Sequence, residues 1–124
     1  MKIFISSLIL MISIVLALGL LFNQTKTTTS ALSQGNSVFI APRAADPDND
    51  QSFVPQFISM PIESTVSWTN YDSIEHIITS NEEGLFVSGP LSPGDIFENV
   101  FDTPGEFGYH CAIHPWMTGR VMVG

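Results

Sequence analysis

Residues 105–123 read GEFGYHCAIHPWMTGRVMV, and the pattern changes twice along them. Up to Cys111 the side chains alternate, with Phe107, Tyr109 and Cys111 on one face and His110 on the other, the two-residue period of a strand. From Ala112 to Met117 the alternation stops, and Pro115 places this stretch in a loop. Arg120 to Val123 alternates again, with Val121 and Val123 facing inward. The unit is strand, tight loop, strand, and it holds the only cysteine of the chain. A lone cysteine cannot form an internal disulfide, so Cys111 is a buried bystander, a nucleophile or a metal ligand.

Working outward, the same short-period pattern recurs. Thr65-Val-Ser-Trp-Thr69 puts Val66 and Trp68 on one face and three hydroxyls on the other, a half-buried strand. Asp95 to Phe101 pairs Phe97 with Phe101 on one face. Val38 to Ile40, Phe53 to Ser59 and His76 to Ser80 read as further strands, with Pro55 marking an edge or a bend. Ser88-Gly89-Pro90, Ser92-Pro93-Gly94 and Thr103-Pro104-Gly105 are turns, and Pro42 to Asp50 is an acidic loop. No sustained helical period interrupts residues 38–124. Seven to eight short strands punctuated in this way predict an all-β Greek-key β-sandwich.

The N-terminus is different. Ile3 to Phe22 carries no charge, and twenty residues at about 1.5 Å each span roughly the 30 Å of a bilayer core. Residues 1–22 are expected to be an uncleaved membrane anchor or a cleaved signal peptide. The length of the run favours the anchor, as does the lack of a small-x-small site directly after it. Residues 23–37, rich in Thr, Ser, Gln and Asn, read as a polar linker. The 124 residues therefore leave one small domain, residues 38–124, expected on the extracytoplasmic face of the cell membrane, or secreted or periplasmic if the segment is cleaved. All 12 acids lie between Asp46 and Glu106, against Arg43 and Arg120 as the cations beyond Lys26. That balance excludes a nucleic-acid binder, which needs cations to meet phosphate.

Cys111, His114 and Met117 set a thiolate, an imidazole and a thioether in one short loop. Such a loop can fold His114 and Met117 back towards the sulfur, but it cannot enclose an ion alone. His76, at the start of a strand, is the candidate for the remaining strong ligand. Two histidines, a cysteine and a long axial methionine describe a type 1 (blue) copper electron-transfer site. Thiolate and thioether suit Cu(I) and imidazole suits Cu(II), so one site can hold both states. Zinc sites rarely use methionine. His110 points to the opposite face of its strand and is read as a non-ligand.

The residues just quoted resemble the cupredoxins, the plastocyanin–amicyanin–pseudoazurin group of small blue copper proteins. Cys111-x2-His114-Pro115-x-Met117 looks most like the amicyanin loop. Gly105-x-Phe107-x-Tyr109-x-Cys111, Gly119-x-Val121-x-Val123, Phe53-x-Pro55 and Val66-x-Trp68-x-Asn70 match as well, so the resemblance covers residues 38–124. It implies a cupredoxin-like fold holding one copper ion through His76, Cys111, His114 and Met117. Four positions depart from the family pattern. Ile77 stands where many members carry Asn after the first histidine, and Ala112 where many carry a polar residue after the cysteine. Their joint absence is expected to remove a brace between the ligand loops. Glu63 replaces a turn glycine, and Ile113 replaces a proline, giving the loop an N–H expected to aim at the Cys111 sulfur.

The expected function is that of a membrane-tethered carrier cycling Cu(I)/Cu(II) between redox partner proteins outside the cytoplasm. His114 would be its electron port, within an apolar patch that includes Pro115 and Trp116. The strong acidity suits a basic partner. No general base or open coordination position is apparent, so no enzyme activity is expected. The alternative is a copper-binding or copper-delivery protein without redox turnover.

Overall fold

The computed structural model describes residues 36–124; the expected anchor and nearly all of the expected linker lie outside them. Eight strands follow in order: β1 Asn36–Ile40, β2 Phe53–Val54, β3 Phe57–Met60, β4 Ser64–Asn70, β5 Ile78–Ser80, β6 Ile96–Phe101, β7 Gly105–Cys111 and β8 Thr118–Val123. They form two four-stranded sheets, ordered β2-β1-β4-β6 and β3-β8-β7-β5. From β4 to β7 the chain changes sheet at every strand, the crossing pattern of a Greek-key sandwich. β1 runs parallel to β4 and β3 parallel to β8, and the other pairings are antiparallel. The expected all-β sandwich is thus present, and among the described residues there is no helix long and apolar enough to cross a membrane.

Strand parity supplies the core. Val66 and Trp68 from β4, Tyr109 and Cys111 from β7, and Val121 and Val123 from β8 all turn inward and are buried. Trp68 is the hub: its ring stacks on Phe97 at 5.5 Å and on Phe86 at 5.8 Å, and meets Tyr109 edge-on at 5.3 Å. Aromatic pairs of this kind add about 0.5–1.5 kcal/mol each beyond their burial. Gly119 allows Tyr109 its place, because a Cβ there would lie 2.3 Å from the tyrosine ring.

Two strand expectations need correction. Phe53 to Ser59 is not one strand. Pro55 has no N–H to give a ladder, and around it the chain leaves the first sheet as β2 and enters the second as β3. The strand expected from His76 begins only at Ile78, because the His76 backbone pairs instead with Leu91 in an isolated bridge. Glu63 adopts the left-handed conformation (φ 65°) that its turn requires, and its N–H is held by the Phe101 carbonyl at 2.7 Å.

Candidate metal centre

Cys111 ends β7 with its side chain facing the core, as the parity of the strand dictates. The chain then turns through residues 112–117 and returns as β8. Backbone bonds close this loop on itself: Cys111 N–H donates to the Met117 carbonyl at 3.1 Å, and Met117 N–H to the His114 carbonyl at 2.9 Å. His76 comes from the other side. β5 pairs with β7 so that Ile78 lies opposite Cys111, which leaves His76 just beyond the end of the ladder and against the sulfur.

The structure brings three of the four expected ligands into one cluster. The Cys111 Sγ lies 3.6 Å from His76 Nδ1 and 3.6 Å from His114 Nδ1, and the three atoms are mutually within 4.8 Å. A cation bonded at about 2.3 Å to sulfur and about 2.0 Å to nitrogen, at a near-tetrahedral angle, separates those donors by roughly 3.6 Å. Met117, the fourth, is fully buried, and its backbone is tied to both Cys111 and His114. His110 stays out of the cluster, its Nδ1 bonded to Asn81 Oδ1 at 2.6 Å. His114 is only half-buried, and its ring meets the half-exposed Trp116 edge-on at 5.4 Å.

The surroundings favour a thiolate. Burial works against ionising Cys111, but the His76 ring, the N–H groups of Ile77 and His114 and the His114 ring together bring the thiol down to about 6. Ile113 is not among these donors, so the expectation that its N–H serves the sulfur is not met. Burial likewise opposes a proton on His76, yet the neighbouring Cys111 and Asp72 raise its affinity above the usual imidazole range. A thiolate and two imidazoles, completed by a thioether such as that of Met117 in the same loop, are the donor set that suits copper in both oxidation states.

The loops are braced, though not where the family pattern places the brace. Ala112 N–H donates to the Ile77 carbonyl at 2.8 Å, so backbone replaces the missing polar side chains at those two positions. The residue that sequence reasoning missed is Asp72. Its carboxylate is buried, and Oδ2 accepts from His76 Nε2 at 2.9 Å. Burial pushes the Asp72 carboxyl up, but His76 and the N–H groups of Ser73 and Arg43 outweigh it and hold the group below its ordinary value. An Asp four residues before a ligand histidine was the available signal.

Comparison with known proteins agrees with this geometry. No protein-family model matches the chain. A chloroplastic plastocyanin from Tetradesmus obliquus is 31% identical over 83 residues, covering 57% of this chain and 57% of that protein. An amicyanin-alpha from Methylorubrum extorquens is 34% identical over 64 residues, covering 48% and 54%. The chain thus spans little more than half the length of these two relatives. Among solved structures, a purple cupredoxin from Nitrosopumilus maritimus is 36% identical with a TM-score of 0.67, covering 71% of this chain and 98% of that one. A copper-containing nitrite reductase from Thermus scotoductus is 27% identical with a TM-score of 0.59, but only 22% of that chain is covered. Fold and donor set together define a β-sandwich metalloprotein with a thiolate centre. The chain belongs to the cupredoxin family.

Proposed function

We propose that the protein is a one-electron carrier whose site holds a single copper ion through His76, Cys111, His114 and Met117. The observation that carries this is the cluster of Cys111 Sγ with two imidazole Nδ1 atoms at 3.6 Å, at the end of a buried core. Copper bound there supplies a Cu(I)/Cu(II) couple. The chain supplies the rest. Cys111 is fixed by strand pairing and His76 by its backbone bridge to Leu91, and both lie out of water, so the donors move little when the charge of the site changes. The half-buried ring of His114 is the route to the surface, where Ile113, Pro115 and Trp116 are exposed around it. That apolar patch allows close approach of a redox partner, and the acidic surface favours a basic one. Residues 1–22 serve as a membrane anchor and residues 23–37 as its linker, which holds the domain at the extracytoplasmic face. The reading contains no catalytic step: the half-buried histidine offers an electron path and no substrate position.

Voltammetry of the copper-loaded protein tests the proposal. A reversible one-electron wave is expected, with full reoxidation after reduction by ascorbate. A site that binds only Cu(I) and shows no wave would favour copper delivery instead.

A further inference from the structure

The polar cluster behind His76 is more elaborate than holding one ring requires. Asn70, at the end of β4, is fully buried; its amide donates to the carbonyls of Ile74 at 2.8 Å and Leu91 at 2.9 Å. Its Oδ1 accepts the Asp72 N–H at 2.9 Å. Asp72 in turn uses both carboxylate oxygens. Oδ1 accepts two backbone N–H groups, from Arg43 at 3.0 Å and Ser73 at 2.8 Å, while Oδ2 faces His76 Nε2 at 2.9 Å. No lysine or arginine side chain among the described residues pairs with this carboxylate: the Arg43 guanidinium turns out to solvent and pairs with Asp46, and Arg120 pairs with Glu106. The His76 backbone is pinned as well, through reciprocal bonds with Leu91 at 3.1 and 2.8 Å.

Two consequences follow for His76. Oδ2 of a carboxylate can only accept, so a ring proton is held on Nε2, and Nδ1, on the Cys111 side, is the nitrogen whose lone pair is left for a metal. The carboxylate also places a negative charge one imidazole ring away from the cluster, in a region shielded from water, where charge acts strongly. A carboxylate on the far nitrogen raises the basicity of a ligand histidine.

We infer that Asp72 is a positioning residue for the metal: it selects the Nδ1-donor tautomer of His76 and biases the site towards Cu(II), lowering its reduction potential. This deepens the copper reading proposed above and rests on it. Asp72 thereby supplies, from behind His76, part of the support that the apolar side chains of Ile77 and Ala112 do not give from the side.

Asp72→Asn tests the inference sharply. The amide oxygen keeps the two backbone N–H donors at the Oδ1 position, which turns the NH2 towards His76 Nε2, donor against donor. The Cu(II) affinity is expected to fall tenfold or more relative to Cu(I), which corresponds to a potential raised by about 59 mV or more for one electron. Glu98→Gln, which removes an exposed charge on β6, is the control and is expected to change the ratio less than about twofold. A second measurement needs no variant: 15N NMR of His76 in the Cu(I) protein should show a protonated Nε2 and a metal-bound Nδ1. Equal potentials for Asp72→Asn and Glu98→Gln would overturn the inference and leave the copper reading standing, whereas a proton on Nδ1 of His76 would overturn both, since a protonated nitrogen cannot ligate the metal. A wild-type protein that shows no thiolate–Cu(II) colour would remove both.

Discussion

His76 and His114 each place Nδ1 3.6 Å from the Cys111 sulfur, yet their surroundings differ in almost every respect. His76 is fully buried, bonded to a buried carboxylate and pinned by its backbone to Leu91. His114 sits in a short loop, half-buried, against an exposed tryptophan. The difference teaches a division of labour. One histidine secures the site from within the core, and the other connects it to the surface. A carrier needs both, because a site rigid on all sides has no contact with its partner, and a site open on all sides reorganises at each electron transfer.

The largest expected effect comes from breaking the buried side. His76→Ala leaves the buried Asp72 carboxylate without its side-chain donor, and a buried acceptor left unsatisfied costs about 1–3 kcal/mol, more when it is charged. Denaturant unfolding of the metal-free protein checks this. His114→Gly, by contrast, is expected to change stability by no more than about 1 kcal/mol, since its loop is near the surface. It should lose the native colour and recover a blue-type band when free imidazole is added, because the gap opens to solvent. His76→Ala should not recover, and equal rescue of the two variants would dissolve the distinction.

How much of this contrast could be read from sequence depended on periodicity. Cys111, His114 and Met117 announced themselves because three donor types stood at ligand spacing directly after an alternating strand. His76 followed as a donor-bearing residue near a strand end. The sandwich followed from the parity of β4, β6, β7 and β8. Asp72 did not show, because it lies in a loop whose neighbour Glu75 is exposed, and burial outside regular structure has no period to betray it. The split of Phe53 to Ser59 into β2 and β3 was hidden for a related reason: apolar residues continue on both sides of Pro55 while the sheet they belong to changes. Ile113 was assigned the wrong role because the aim of an N–H in a tight loop is set by local dihedrals that composition does not reveal.

A smaller effect sharpens the surface side. Trp116 is 51% exposed, with its indole N–H on the Ala45 carbonyl at 3.2 Å. Trp116→Ala is expected to keep the visible band and to slow electron exchange between copies of the protein by about tenfold, the order of one aromatic contact at an interface. NMR line broadening in mixtures of Cu(I) and Cu(II) protein reads this rate. The same rate should rise with salt, because copies this acidic repel one another until screened. The smallest effect belongs to the third histidine. His110→Ala loses its bond to Asn81, about 1 kcal/mol of stability, and leaves colour and potential unchanged. A changed spectrum would show that its face of β7 communicates with the site.

The central claim is that the Cys111 thiolate, held between two imidazoles, binds copper for redox work. The visible spectrum of the Cu(II)-loaded protein, set beside that of Cys111→Ser, tests it most directly. The account predicts an intense thiolate-to-Cu(II) band in the wild type, bleached by ascorbate and restored on oxidation, and no such band in the variant, because an alcohol is a far poorer donor to Cu(II) than a thiolate. A colourless wild-type complex, or a variant that keeps the band, would contradict it.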